Sequence, residues 1–448
     1  MSDQSHRLTR TRLLAGAIGT RGGIRPRPGT DARWFEPPHV RDPRMVRSEL
    51  TSQVEAGADV IVAPAYRTHR RALVEVGESR NARAWTAAAI SVAREAVQQG
   101  LAGRADAGQS SRSVLVCGPL PVLDPGPGPG DGRLPTGSVA GERDYRDQAG
   151  ILSDLGVDLI LVDGQATVAG ARLAMGAAVE TGLPAWVLGP IRDLRARADS
   201  GESGESGEPG ESGHRPALPT LASGEPLEAW AEAVLELGAS ALLLEGGAPG
   251  LEAGRVTLGE LALGRDFGLA VAGIDVRDDS LDVIRAWLES DLPILGIAEG
   301  ATAERLRRLA SLIDEVEAAH RTRASEATAR WSAWLAEAAQ RAPGGPALWL
   351  ERRPRGPVEG GAEPPPLPSG FAWTRAAPDD VPHLPRAHYR LVALEDGDVE
   401  VDALAPLLEP GGVLAARLRA EPRQIEGLRV MEIERDGDRV LVLARREP

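Results

Sequence analysis

At 448 residues, with 51 Lys plus Arg against 65 Asp plus Glu, the chain carries a net charge of -14, the wrong sign for a surface that gathers nucleic-acid phosphates. Every cation is arginine, so Schiff-base and phosphate-binding lysines are excluded. The single cysteine, Cys117, excludes an internal disulfide and any zinc site built on two thiolates of this chain.

Apolar residues reach 42 %, enough for a core, but no apolar run approaches the ~20 residues of a membrane span. Met1–Arg12 lacks the apolar stretch of a secretory leader. A cytoplasmic protein without membrane or nucleic-acid partners is expected.

From Leu13 onward, short apolar runs alternate with Ala/Leu/Arg/Glu stretches of helical period. The runs are Leu13–Ile18, Val60–Ala63, Val114–Cys117, Leu159–Val162, Ala185–Leu188, Ala241–Leu244, Leu269–Ile274 and Ile294–Ile297. Eight runs in this rhythm predict a (β/α)8 TIM barrel over residues 1–320. Pro43–Ala56 is a helix with Met45, Val46, Leu50 and Val54 inward, and Ala82–Gln99 another with Trp85, Ala89, Val92 and Val97 inward. Two insertions break the rhythm: Pro/Gly-rich Asp124–Gly137, and the Gly-Glu-Ser repeat Gly201–Gly213, which has no apolar residue to bury and reads as a disordered acidic loop.

Residues 321–370 read as the end of a charged helix, Ala301–Arg341, followed by a Pro-rich linker, Ala342–Ser369. Residues 371–448 read as a small α/β domain. Its elements are a strand at Tyr389–Leu394, a helix at Val401–Leu408, a turn at Pro410–Gly412, a strand at Val413–Leu418, and a hairpin about Asp436-Gly437. The fold class is therefore an α/β barrel followed by a small C-terminal α/β domain.

On these strands several segments resemble the homocysteine S-methyltransferase family: Leu14–Thr20, Glu55–Ile61 with Pro64-Ala65-Tyr66, Cys117-Gly118-Pro119, Leu155–Asp163 and Pro293–Thr302. The resemblance implies a barrel that transfers a methyl group to a homocysteine thiolate held on zinc. It implies a substrate-binding acid at Asp163 and a family tyrosine at Tyr66. The three cysteines that hold the family's zinc are missing. Strand six ends in Leu244-Glu245-Gly246-Gly247, the paired positions are Ala298 and Glu299, and the first-strand aspartate is Ala15. Zinc is expected for the family, but with these ligands absent no cofactor is predicted, and no catalytic residue is assigned.

Carboxylates fall at four strand ends, Asp163, Glu245, Asp275 and Glu299. Such acids converge on a ligand or a hard cation, or simply cap the next helix. With Tyr66 they are the candidate substrate-binding residues. His39 precedes a helix start, His69 lies in a loop with Arg67, Arg70 and Arg71, and Cys117 reads as a small buried residue.

Tyr389–Leu394 through Leu407–Leu414 resembles the later half of an S-adenosylmethionine methyltransferase. Its candidate first strand, Ala347–Arg353, lacks the glycines of a cofactor turn, which implies a degenerate module that docks a protein partner. Two readings of the whole stand side by side. One is methyl transfer to a thiol or related small amino-acid-like substrate without zinc thiolates. The other is a non-catalytic barrel kept as a binding or scaffold subunit.

Overall fold

The computed structural model describes residues 11–16, 37–74, 77–108, 112–123, 139–192, 219–261, 266–271, 278–297, 302–342, 345–351, 371–376, 384–386, 388–395, 403–418, 427–436 and 439–446. Both insertions, Asp124–Gly137 and Gly201–Gly213, lie outside them. The chain divides into two units, His6–Glu317 and Ala318–Pro448.

In the first unit eight parallel strands close into a barrel in chain order: β1 (Arg12–Gly16), β2 (Val60–Val62), β3 (Leu115–Leu120), β4 (Leu159–Val162), β5 (Ala185–Pro190), β6 (Ala241–Gly246), β7 (Asp266–Val271) and β8 (Ile294–Ile297). Val, Ile and Leu dominate because each strand is covered on both faces. The helices are α1 (Pro38–Arg41), α2 (Pro43–Glu55), α3 (Arg70–Val74), α4 (Ala82–Asp106), α5 (Val139–Asp154), α6 (Val168–Val179), α7 (Leu227–Glu236), α8 (Ala248–Leu261) and α9 (Asp278–Glu289). Caps set the starts of two of them. The Asp42 side chain accepts from the Met45 amide at 3.0 Å, with Pro43 in the first turn, and Thr167 accepts from the Gly170 amide.

The strands carry two cores. One set of side chains packs outward against the helices, and the alternate set, among them Leu14, Val62, Cys117, Leu161, Trp186 and Leu243, fills the barrel. Gly16 is required where β1 crowds β2: its φ is +108°, and a Cβ there would lie 2.6 Å from the Val62 carbonyl oxygen. Two inward assignments change. Met45 is 46 % exposed, and α4 buries Thr86, Ala89 and Ile90 along with the expected Val92 and Val97, leaving Trp85 only partly covered.

Helix α10 (Ala303–Arg341) gives the first unit Leu306, Leu309 and Ile313 for its core. In the second unit its last turns, with Trp331, Trp334 and Leu335, cover one face of a six-stranded sheet. The strands are β9 (Gly345–Glu351), β10 (Phe371–Ala376), β11 (Tyr389–Glu395), β12 (Leu408–Leu418), β13 (Leu428–Asp436) and β14 (Arg439–Arg446), in the order β10-β9-β11-β12-β14-β13. The first four are parallel, and β14 runs antiparallel between β12 and β13. The expected hairpin is present, with Asp436 paired to Arg439.

Three local expectations give way here. The linker assigned to Ala342–Ser369 is interrupted by β9, which pairs with both β10 and β11 and falls on the candidate strand Ala347–Arg353. In place of a helix at Val401–Leu408, the described residues form one 3-10 turn, Ala405–Leu407. Pro410–Gly412 is a bulge inside β12: the register passes from Tyr389↔Leu408 to Leu391↔Val413. Pairing with β11 and β14 outweighs the local helix and turn preferences. No helix of the described residues is long and apolar enough to cross a membrane.

Candidate active site at the barrel mouth

The inward columns of β4 and β6 end in acids. Leu159 and Leu161 fill the barrel, and the next residue on that face is Asp163. Ala241 and Leu243 do the same on β6, followed by Glu245. Between them β5 ends with Pro190, paired to Glu245. Alternate strands supply one layer of side chains in a barrel of this kind, so the two carboxylates belong to the same layer at the C-terminal mouth.

Asp163 is fully buried, and its amide donates to the Leu120 carbonyl at 3.0 Å. Tyr66 arrives from the turn after β2, is partly buried against the barrel filling, and donates its hydroxyl to Asp163 Oδ2 at 2.6 Å, the short distance of a charge-assisted bond. Burial pushes the phenol well above its ordinary pKa. The Asp163 carboxylate adds to this, followed by Cys117 and Glu245. The phenol therefore stays a hydrogen-bond donor. Tyr66, Asp163 and Glu245, three of the five candidates, thus stand within electrostatic reach of one another. Asp275 and Glu299 lie outside the described residues.

The histidines and the cysteine serve the frame. His39 is buried with Nε2 3.1 Å from the Trp85 carbonyl. His69 is buried, and its Nδ1 accepts from the Ala72 amide at 3.2 Å. Arg71 pairs with Asp144 at 2.8 Å, and Arg70 lies 3.8 Å from Asp147. Cys117 is buried inside the barrel, and burial, then the charge of Asp163, pushes its thiol well above the ordinary range, which makes it inert as a nucleophile.

Sequence reasoning missed the residues that hold the loop after Asp163. Gln165, buried two positions beyond Asp163, donates Nε2 to the Tyr145 hydroxyl at 3.3 Å and to the Asp163 carbonyl at 3.4 Å. The Tyr145 hydroxyl in turn accepts from the Leu123 amide at 3.4 Å. A polar residue just past a strand-end acid was the available signal.

The model of the homocysteine S-methyltransferase family matches residues 12–245. No curated protein matches in sequence. Among solved structures, the oxidized form of the homocysteine methyltransferase MmuM from Escherichia coli is 17 % identical with a TM-score of 0.50, covering 67 % of this chain and 95 % of that one. The metallated form is also 17 % identical, with a TM-score of 0.48 and coverages of 67 % and 96 %. At 17 % identity the likeness to the oxidized form is one of fold.

A zinc ion held by three thiolates does not fit this chain. One cysteine cannot supply three, and that cysteine is sealed in the barrel filling with its proton held on. Among the described residues no group of three or more His, Cys, Asp or Glu is placed to hold a metal.

Proposed function

The chain belongs to the homocysteine S-methyltransferase family, and from that premise we propose that its barrel binds a small amino-acid-like ligand at the mouth without zinc-thiolate chemistry. The observation that carries this reading is the Tyr66–Asp163 pair. It is a buried carboxylate at the mouth end of a barrel column, oriented by a phenol whose pKa is raised well above its ordinary value by burial and by Asp163.

Asp163 seats the ligand's ammonium group. A charge-assisted hydrogen bond shielded from water is the strong kind, and Glu245 in the same layer makes the mouth favour cations. Tyr66 restricts Asp163 to one rotamer, so less side-chain freedom is lost when the ligand arrives. A free thiol near neutral pH is mostly protonated and weakly nucleophilic, and among the described residues of this site no metal-holding group or cation stands ready to lower its pKa. The site therefore supports binding over thiol methylation, which favours the non-catalytic reading.

Calorimetric titration with homocysteine, methionine and S-methylmethionine tests it. Wild type binds at least one of them, and Asp163→Asn, which keeps the size and removes the charge, weakens binding about tenfold or more, at least ~1.4 kcal/mol. No binding of any of the three at millimolar concentration ends the amino-acid reading. Equal binding by the Asn variant removes Asp163 from its role. Methionine formed from S-methylmethionine and homocysteine by metal-free protein would overturn the non-catalytic reading.

A further inference from the structure

Tyr66 reaches Asp163 from a tight turn, and buried side chains on two helices brace that turn. Ala65 and Thr68 close it. The Thr68 amide donates to the Ala65 carbonyl at 3.3 Å, and Thr68 Oγ1 donates to the same carbonyl at 2.9 Å, leaving Tyr66 and Arg67 as the central residues. Thr86 of α4 donates Oγ1–H to Thr68 Oγ1 at 2.8 Å. Gln148 of α5 presents Nε2 to Thr86 Oγ1 at 3.5 Å. Thr68 and Thr86 are fully buried and Gln148 is 2 % exposed.

The chain has a direction. A hydroxyl has one proton to give. With the Thr68 proton on Ala65 and the Thr86 proton turned toward Thr68, the bonds run from Gln148 through Thr86 and Thr68 to the turn. Thr86 also lies 2.7 Å from the Ala82 carbonyl one helical turn back. That contact satisfies the hydroxyl without help from the turn, and it defines the purely structural alternative.

We propose that Thr86 and Gln148 are positioning residues of the ligand site: acting through Thr68, they hold the 65–68 turn where the Tyr66 hydroxyl meets Asp163. Helices α4 and α5 thereby act on a carboxylate neither of them carries. The inference rests on the ligand-binding reading of the mouth only for its affinity readout. The ionisation of Tyr66 reports the position of the phenol whether or not a ligand binds.

The test is phenolate absorbance against pH in the full-length protein, which has three tyrosines, together with the calorimetric titration. In wild type, burial and the Asp163 charge hold the Tyr66 proton on at a pH where an ordinary phenol is ionised. Thr86→Val keeps the shape and removes the hydroxyl, so the turn loosens and one further phenolate appears. That phenolate is absent from the Thr86→Val/Tyr66→Phe double variant. Methionine-class ligands bind Thr86→Val about fivefold more weakly, the worth of one net hydrogen bond, and Thr86→Ser restores both readouts.

A Thr86→Val protein with wild-type titration and affinity overturns the proposal, as does a Thr86→Ser protein that behaves like the Val variant. Gln148→Leu with an unchanged titration removes Gln148 from the chain. If Thr86→Val does not fold, Thr68→Val breaks the same link from the turn side, and an unchanged Tyr66 titration there overturns the proposal equally. A wild type that binds none of the ligands, yet shows the Thr86-dependent phenolate, refutes the ligand reading and leaves the positioning role standing.

Discussion

Two buried histidines make this fold sensitive to mild acid. Burial lowers the pKa of His39 to about 4, against a smaller opposing effect of the Trp85 carbonyl. Burial also lowers His69 to about 4, where Asp144 opposes and Arg71 and Arg67 assist. Both stand at 6.5 in the unfolded chain. Because the folded values are depressed, the unfolded chain binds protons more readily between pH 6.5 and 4. Stability is complete above the unfolded value and is lost as the pH falls through that window. From pH 7 to pH 5 the loss is about 2 kcal/mol for each histidine, about 4 kcal/mol for the pair if they act independently. The geometry agrees with the sign: protonating Nδ1 of His69 aims an N–H at the Ala72 N–H that it now accepts from. Urea unfolding at pH 7, 6 and 5, in wild type and in a His39→Asn/His69→Gln double variant, measures the effect. The double variant is less stable at pH 7 but has a much flatter pH dependence. An equally steep loss in both proteins would refute the reasoning and assign the acid lability to carboxylates.

Three further outcomes are expected. Purified protein carries well under one zinc per chain, read by metal analysis after dialysis, and chelation leaves its melting temperature unchanged. Stoichiometric zinc that survives dialysis defeats this. Gly16→Ala loses about 2–4 kcal/mol in thermal unfolding, since φ is +108° and the new Cβ meets the Val62 carbonyl oxygen at 2.6 Å. A loss well under ~1 kcal/mol means the β1–β2 edge relaxes. Gly189→Ala places its Cβ 2.8 Å from Trp230 Cζ2 and costs about 1–3 kcal/mol, and an unchanged midpoint shows that the indole can shift.

The barrel was legible because its strands announce themselves locally. Runs such as Leu159–Val162 and Ala241–Leu244 are apolar on both faces, and the helical stretches between them require parallel crossovers. The bar to a zinc-thiolate centre was equally legible, since one cysteine in the whole chain cannot become three by any folding. Asp163 and Tyr66 were each nominated by a local motif. Their hydrogen bond spans 97 positions, and only the pairing of β2 and β4 on either side of β3 in a strongly curved sheet brings those positions together.

Where residues act through distant partners, the sequence is silent. Thr86 sits in an alanine-rich helix with nothing nearby to separate it from a helix-interior threonine, and its tie to Thr68 exists only because α4 packs beside the turn after β2. The second unit shows the same limit. Val401–Leu408 has a helical pattern and Pro410–Gly412 a turn pattern, yet Leu408–Leu418 is a bulged strand, whereas β9 falls where Ala347–Arg353 already read as a strand. Local preferences are worth tenths of a kcal/mol per residue, about 1 at most. A ladder of cross-strand bonds with burial on both faces is worth more, and it exists only after the chain has folded.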